Sequence, residues 1–151
     1  MPYDPRMIQP FRDELTQAGF TELHTAAEVD ASVTQKGTTL VVVNSVCGCA
    51  AGQARPGVAL AVKHPLRPER LVTVFAGQDL EATARARSYF TGASPSSPSI
   101  GILRDGKLVY LLQRHEIQMM DARAVAGALG AAFEGVATST PRASLELPAR
   151  A

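Results

Sequence analysis

The chain has no tryptophan, aromatic residues make up only 5%, and cysteine occurs twice in 151 residues. So sparse an aromatic set leaves the core to aliphatic side chains and alanine. Two cysteines are too few for a secreted disulfide scaffold, which spreads several pairs along a short chain. Charge of one sign is also missing. The formal net charge is +1, which excludes the basic footprint of a nucleic-acid or anionic-membrane binder. No apolar run approaches the roughly 20 residues of a membrane span. The opening stretch, MPYDPRMIQP, has none of the apolar core of a signal peptide. The expected setting is therefore the cytoplasm, with neither nucleic acid nor membrane as partner.

What is present is ordinary globular material, 46% hydrophobic and 19% charged, in a length that suits one domain with a substantial core. Ile8, Phe11, Leu15 and Ala18 fall on one helical face and predict a helix over 7–18. Pro10 then belongs to its first turn, where a missing N–H costs little, and Gly19 ends it. FTEL (20–23) suits a short strand. Thr25 with Glu28 three residues on makes a capping-box pattern for a helix carrying Val29 and Val33, running until Gly37.

TTLVVVN (38–44) is apolar without alternation, as a strand buried on both faces should be. Residues 50–64 look helical, with Pro56 and Gly57 expected to kink them. RLVTVFAG (70–77) reads as a second buried strand, and Asp79 as the cap of a helix over 79–91. A Ser/Pro/Gly loop (91–99) leads to IGILRDGKLVYLLQR (100–114), a hairpin around Asp105-Gly106. Asp121 starts a last helix, with Ala122, Val125, Leu129 and Phe133 on one face. The composition then changes, giving a domain over 1–137 and a tail over 138–151 expected to be disordered.

Strands alternating with helices imply a mixed sheet flanked by helices, parallel except for the closing antiparallel hairpin. A βαβ unit followed by a ββα unit is the order of a thioredoxin-like fold, here with an extra N-terminal helix. The class is α/β.

Both cysteines lie in VVVNSVCGCAAG (41–52), where the apolar strand gives way to a helix. Free N–H groups at a helix start favour negative charge, so a thiol there ionises more readily, and the thiolate is the reactive species. Cys47 holds the position of an attacking nucleophile, while Cys49, in the first turn, is expected to be less exposed. A Cys-x-Cys bridge demands a bend between its ends, which Gly48 permits because glycine can take positive φ. Two modes follow: Cys47 takes a small thiol onto itself, or Cys49 resolves that adduct through the bridge. Zinc or copper(I) between two thiolates is the competing chemistry. However, His24, His64 and His115 are scattered without ligand spacing, and no metal is expected.

Ser97-Pro98 precedes the hairpin strand, where a thioredoxin-like fold places a cis-proline facing the active cysteine. Its backbone can then pair with an incoming thiol substrate. Cis bonds are otherwise a small minority even before proline. Arg55, about two turns beyond Cys47, reads as a surface arginine. RHEIQMMD (114–121) reads as a connector, without the histidine spacing of a zinc protease, and Met119 and Met120 as packing.

Three stretches, LVVVNSVCGCAAGQARP, VTVFAGQDLEATARARSYFTGASPSSPS and RHEI, closely resemble the bacilliredoxin family. The resemblance runs from about Pro10 to Phe133. It implies a thioredoxin-like fold and a thiol–disulfide oxidoreductase that removes bacillithiol, a low-molecular-weight thiol, from protein mixed disulfides. It implies Cys47 as the attacking cysteine and Cys49 as the second motif cysteine. Gly48, Ser97 and Pro98 would meet the substrate. No bound cofactor is implied, only bacillithiol as co-substrate, with bacillithiolated clients as partners and bacillithiol or a reductase for recycling. Family members can carry a further cysteine near the C-terminus, and AAFEGVATSTPRASLELPARA has none. Two alternatives stay open: a general disulfide reductase or isomerase, and a non-enzymatic thiolate metal carrier.

Overall fold

The structure, a computed structural model, describes residues 2–138. In chain order it comprises α1 (Pro5–Thr16), β1 (Thr21–Glu22), α2 (Ala26–Val33), β2 (Thr38–Asn44), a π-helical turn (Ala50–Ala54) leading into α3 (Arg55–Ala61), and β3 (Arg70–Phe75). Then come α4 (Leu80–Ser88), β4 (Ser99–Arg104), β5 (Lys107–Leu112), α5 (Arg114–Ile117) and α6 (Ala122–Thr138). The expected tail, beyond Thr138 of α6, lies outside the described residues. Among those residues no helix is long and apolar enough to cross a membrane.

The strands form one sheet in the order β1-β3-β2-β4-β5. Strand β2 is central, as its unbroken apolar run requires, parallel to β3 and antiparallel to β4. Alternate residues of each strand serve opposite faces. Leu40, Val42, Ile100 and Ile102 pack with α1, α3 and α6, and Val41, Val43, Val72 and Val74 with α2 and α4. The hairpin turn sits at Asp105-Gly106, with φ 53 and 84, the left-handed pair that a tight two-residue hairpin needs.

Register matters for function. Val43 pairs with Ser99, and Ile100 pairs with Leu112. The end of β2, the start of β4 and the end of β5 therefore lie side by side. The segments just beyond them, around Cys47, Pro98 and Arg114, emerge at one end of the sheet.

Four expectations need correction. Helix α1 begins at Pro5, capped by Asp4, whose carboxylate accepts from the Arg6 N–H at 2.9 Å. Pro10 is thus inside the helix, because Asp4-Pro5 supplies a stronger start than the later residues do. The expected kink at Pro56 takes the form of the π-turn ahead of it, where the Arg55 N–H reaches the Ala50 carbonyl. Regular α pairing would bring the Pro56 ring against the Gly52 carbonyl and leave that carbonyl without a donor, and widening the turn accommodates both. Asp79 precedes α4 without capping it by its side chain, because its carboxylate is taken by the Phe75 N–H and by Arg12. Met119 is 83% exposed, whereas Met120 packs against the core.

Helices α3 and α6 meet at Gly57, where an added Cβ would come within 2.6 Å of the Val125 side chain and 2.9 Å of the Ala122 carbonyl. Gly57→Ala should therefore lose about 1–3 kcal/mol of unfolding free energy by overpacking, despite its better helix propensity. Urea denaturation checks this, and an unchanged or higher midpoint would contradict the close approach.

Candidate active site

Asn44 is the last residue of β2, and the chain needs three residues to pass from it to the helix that opens at Gly48. Cys47 stands at the N-cap of that helix. Its carbonyl accepts from the Ala50 N–H at 2.9 Å and the Ala51 N–H at 3.2 Å. Its sulfur accepts from the Cys49 N–H at 3.4 Å. A serine or aspartate oxygen usually plays this part. A sulfur in that place is favoured as the thiolate, since its partner is a free helix donor. The Cys47 N–H is in turn held by the Ser45 hydroxyl at 3.1 Å.

The two cysteines are free, Cys47 partly exposed and Cys49 buried, with their sulfurs 2.7 Å apart. Burial alone pushes the Cys47 thiol up. The Cys49 S–H and N–H, the positive charge of Arg114 and the Ala50 N–H more than offset it, so its pKa lies below that of an ordinary thiol. Cys49 moves the other way: burial and the neighbouring Cys47 sulfur raise it, against a smaller lowering by Arg114. The arrangement pairs a more acidic thiol at the surface with a less acidic one behind it. It can attack a disulfide at Cys47 and then pass the bond to Cys49.

Gly48 lies between the two free thiols. It is exposed and helical, it is not among the residues with positive φ, and a Cβ placed on it would meet nothing within 4 Å. In the free-thiol pair the helical turn itself brings the sulfurs together.

Ser97-Pro98 is a cis peptide bond, as expected, and Pro98 is buried at the head of β4. The register places this segment at the same end of the sheet as the cysteines.

Arg55 is the residue that sequence reasoning placed wrongly. It is 1% exposed and lies directly under the cysteine loop. Its Nη1 donates to Asn44 Oδ1 at 3.0 Å and to the Ser45 carbonyl at 2.8 Å. Its Nε donates to Glu14 at 2.9 Å. Its guanidinium lies over the Phe11 ring, 4.6 Å from the centroid. Asn44 completes the link, accepting from the Ser45 N–H at 2.9 Å and donating to the Phe11 carbonyl at 3.2 Å. A buried charge persists only when paired and hydrogen-bonded, and this one ties α1 to the loop before Cys47. A signal was available. Arg55 stands three residues before Val58 and seven before Val62, on the inward face of the helix.

Arg114, which the sequence reading places in a connector and in the RHEI stretch of the family resemblance, is not among the expected site residues, yet its charge lowers both cysteine pKa values. RHEI forms the single turn α5, with Glu116 accepting from the Gln113 N–H at 2.9 Å. The histidines remain apart: His24 lies by Asp79 and Glu22, and His64 by Glu134. Among the described residues no three His, Cys, Asp or Glu side chains form a metal-holding group. Of the clefts, one of about 590 Å³ lies around His64, beyond the far end of α3 from the cysteines. Another, of about 540 Å³, runs between the 92–96 loop and Arg114.

Removing Arg55 leaves Asn44 Oδ1 and the Ser45 carbonyl short of a buried donor. Arg55→Met should lower the unfolding free energy by about 3 kcal/mol. Arg55→Lys keeps the charge but not the planar fork and should recover only part of this. Glu14→Gln keeps an acceptor for Nε but removes the countercharge of a buried cation, and should cost about 1–3 kcal/mol, less than Arg55→Met. Denaturation of the three variants decides, and equal small losses would show that the guanidinium is not the clamp.

A protein-family model described as disulphide isomerase matches residues 3–137. The chain is 55% identical over 128 residues to a bacilliredoxin of Geobacillus kaustophilus, covering 85% of this chain and 88% of that one. It is 53% identical over 133 residues to a bacilliredoxin of Koribacter versatilis, covering 87% and 92%. Among solved structures it is similar in fold to mitochondrial thioredoxin 3 of Saccharomyces cerevisiae. That match has a TM-score of 0.54 at 17% identity and covers 81% of this chain and 98% of that one.

Proposed function

The chain belongs to the bacilliredoxin family, and from that premise we propose that it removes bacillithiol from protein mixed disulfides, with Cys47 as nucleophile. The broader activity, thiol–disulfide oxidoreductase on a thioredoxin-like fold, is that of the family. The observation that supports the finer reading most is the Cys47 sulfur. It is partly exposed and accepts the Cys49 N–H at a helix start.

The Cys47 thiolate attacks the bacillithiol sulfur of a client mixed disulfide. The client leaves as its thiolate, and Cys47 holds bacillithiol in a new disulfide. Cys49 gives up its proton and attacks the Cys47 sulfur, bacillithiol leaves as a thiolate, and the Cys47–Cys49 bridge forms. Two electrons from a thiol or dithiol reductant restore the pair. The client's bond is thus reduced, and that reductant is oxidised. Free bacillithiol can instead attack the adduct on Cys47 directly, which leaves Cys49 unused. The exposed, unobstructed Gly48 leaves room for the incoming disulfide, and the Ser97–Pro98 backbone is available to pair with it. The chemistry belongs to a reducing compartment, so the cytoplasm is part of the proposal.

Mass spectrometry of Cys49→Ala incubated with a bacillithiolated protein tests the reading. The expected product is the client free of its adduct, with the bacillithiol mass carried on Cys47. No transfer from a client that unmodified reductants can clear would reject it.

A further inference from the structure

Arg87, in the last turn of α4, is a partly buried cation with no acid beside it. Arg6, Arg12, Arg55 and Arg85 each face a carboxylate within 4 Å. Arg87 faces none among the described residues, and burial lowers its pKa. Its Nη2 donates to the Ser96 carbonyl at 3.2 Å, the one hydrogen bond it makes to those residues. Its Nε is buried and has no partner there. Taking a charge partly out of water for a single carbonyl is costly, so the place of that carbonyl matters.

Ser96 stands directly before Ser97-Pro98. Its carbonyl accepts a second donor, the Ser99 hydroxyl, at 3.2 Å. Ser99 is itself fixed, buried in β4 and paired with Val43 of the central strand. The Ser96 hydroxyl accepts from the Arg114 N–H at 3.4 Å, and the Gln113 amide holds the Ser94 carbonyl at 3.0 Å. The base of Arg87 is equally firm. Ala82 and Ala86 of α4 are buried, and the Phe90 ring, just beyond α4, occupies the place that a Cβ would take at Gly101 of β4.

A peptide bond is planar, so the Ser96 carbonyl and the Ser97 N–H turn as one unit and point in opposite directions. Two donors grip the carbonyl end. At the other end, Ser97 is partly exposed and its N–H has no partner among the described residues. An open backbone N–H takes its acceptor from water or from a ligand. We propose that Arg87 is a positioning residue: with Ser99 it holds the Ser96 carbonyl, and through that rigid peptide it aims the Ser97 N–H at a backbone carbonyl of the incoming client. The inference rests on the reading that the Ser97–Pro98 backbone pairs with the substrate. It adds the side chains that set the direction of the pairing group. A client that brings a polypeptide backbone gains from this contact, and a small disulfide without one gains nothing.

The test compares two disulfides of the same chemistry. One is a peptide cysteine blocked with 2-mercaptoethanol, and the other is bis(2-hydroxyethyl) disulfide, which has no backbone. In both, the Cys47 thiolate attacks a 2-mercaptoethanol sulfur, a disulfide to Cys47 forms, and the other half leaves as a thiolate. The kcat/KM for transfer onto Cys47 is measured for each. The wild-type protein should prefer the peptide, and Arg87→Met should lower that preference about fivefold, chiefly through the KM of the peptide, as loss of one aligning hydrogen bond requires. Arg87→Lys keeps a charged donor and should restore part of it. Ser99→Ala removes the other donor and should lower the preference about twofold. A general loosening of the structure slows both disulfides and cancels in the ratio. A ratio unchanged in Arg87→Met, or in Ser99→Ala should Arg87→Met fail to fold, would overturn the positioning role and leave the proposed function standing. Absence of any wild-type preference for the peptide would do the same. Failure of the wild-type protein to take bacillithiol from a client would overturn the proposed function itself.

Discussion

The guanidinium of Arg55 is the constraint on which the rest of the site depends. A cation with 1% exposure is costly to bury, and the structure offsets that cost with a carboxylate, a carbonyl, an amide oxygen and an aromatic face. Each partner belongs to a different part of the site. Glu14 and Phe11 are on α1, Asn44 ends the central strand, and Ser45 begins the loop to Cys47. The N-terminal helix is therefore more than an addition to the thioredoxin-like core. Through Arg55 it holds the backbone that aims the cysteine. Arg12 secures the same helix from its other side, pairing with Asp79 at 2.9 Å just beyond β3.

From that anchored loop the chemistry follows by short steps. Ser45 fixes the Cys47 N–H, the helix start offers its free N–H groups, and the Cys47 sulfur accepts one of them. The two thiols are then driven apart in acidity by burial, by their own contact and by the donors around Cys47. A close pair of thiols cannot both ionise easily, so the environment decides which one does. The sheet register brings the cis Ser97-Pro98 segment and the end of the hairpin to the same rim, which completes a site built from distant parts of the sequence.

Much of this was legible in the chain. The unbroken apolar run of TTLVVVN marked the central strand, and Asp105-Gly106 marked the hairpin. The position of Cys47 between strand and helix marked the thiol that the structure leaves partly exposed at a helix start. Periodicity and turn chemistry are local, and so were these successes. The failures came where a local rule lost to a tertiary partner. Arg55 was read outward because arginine is usually exposed, although its spacing from Val58 and Val62 put it on the inner face. Asp79 looked like a cap, but Arg12, distant in sequence, claimed its carboxylate. Gly48 is a different case: in the free-thiol pair it sits in an ordinary helical turn with open space above it. Arg114 lay in the RHEI stretch, but its place at the cysteine end of the sheet follows from the pairing of β4 with β5, which no local pattern shows.

The central claim is that Cys47, and not Cys49, carries the thiolate of the reduced pair. It is tested most directly by an NMR titration of the wild-type protein with carbon-13 at the cysteine Cβ atoms. A lowered pKa means ionisation at lower pH, so the Cys47 signal should move first, below the ordinary thiol value of about 8.5. The Cys49 signal should follow above that value. If Cys49 moved first, or if Cys47 titrated at or above the ordinary value, the account of this site would be contradicted.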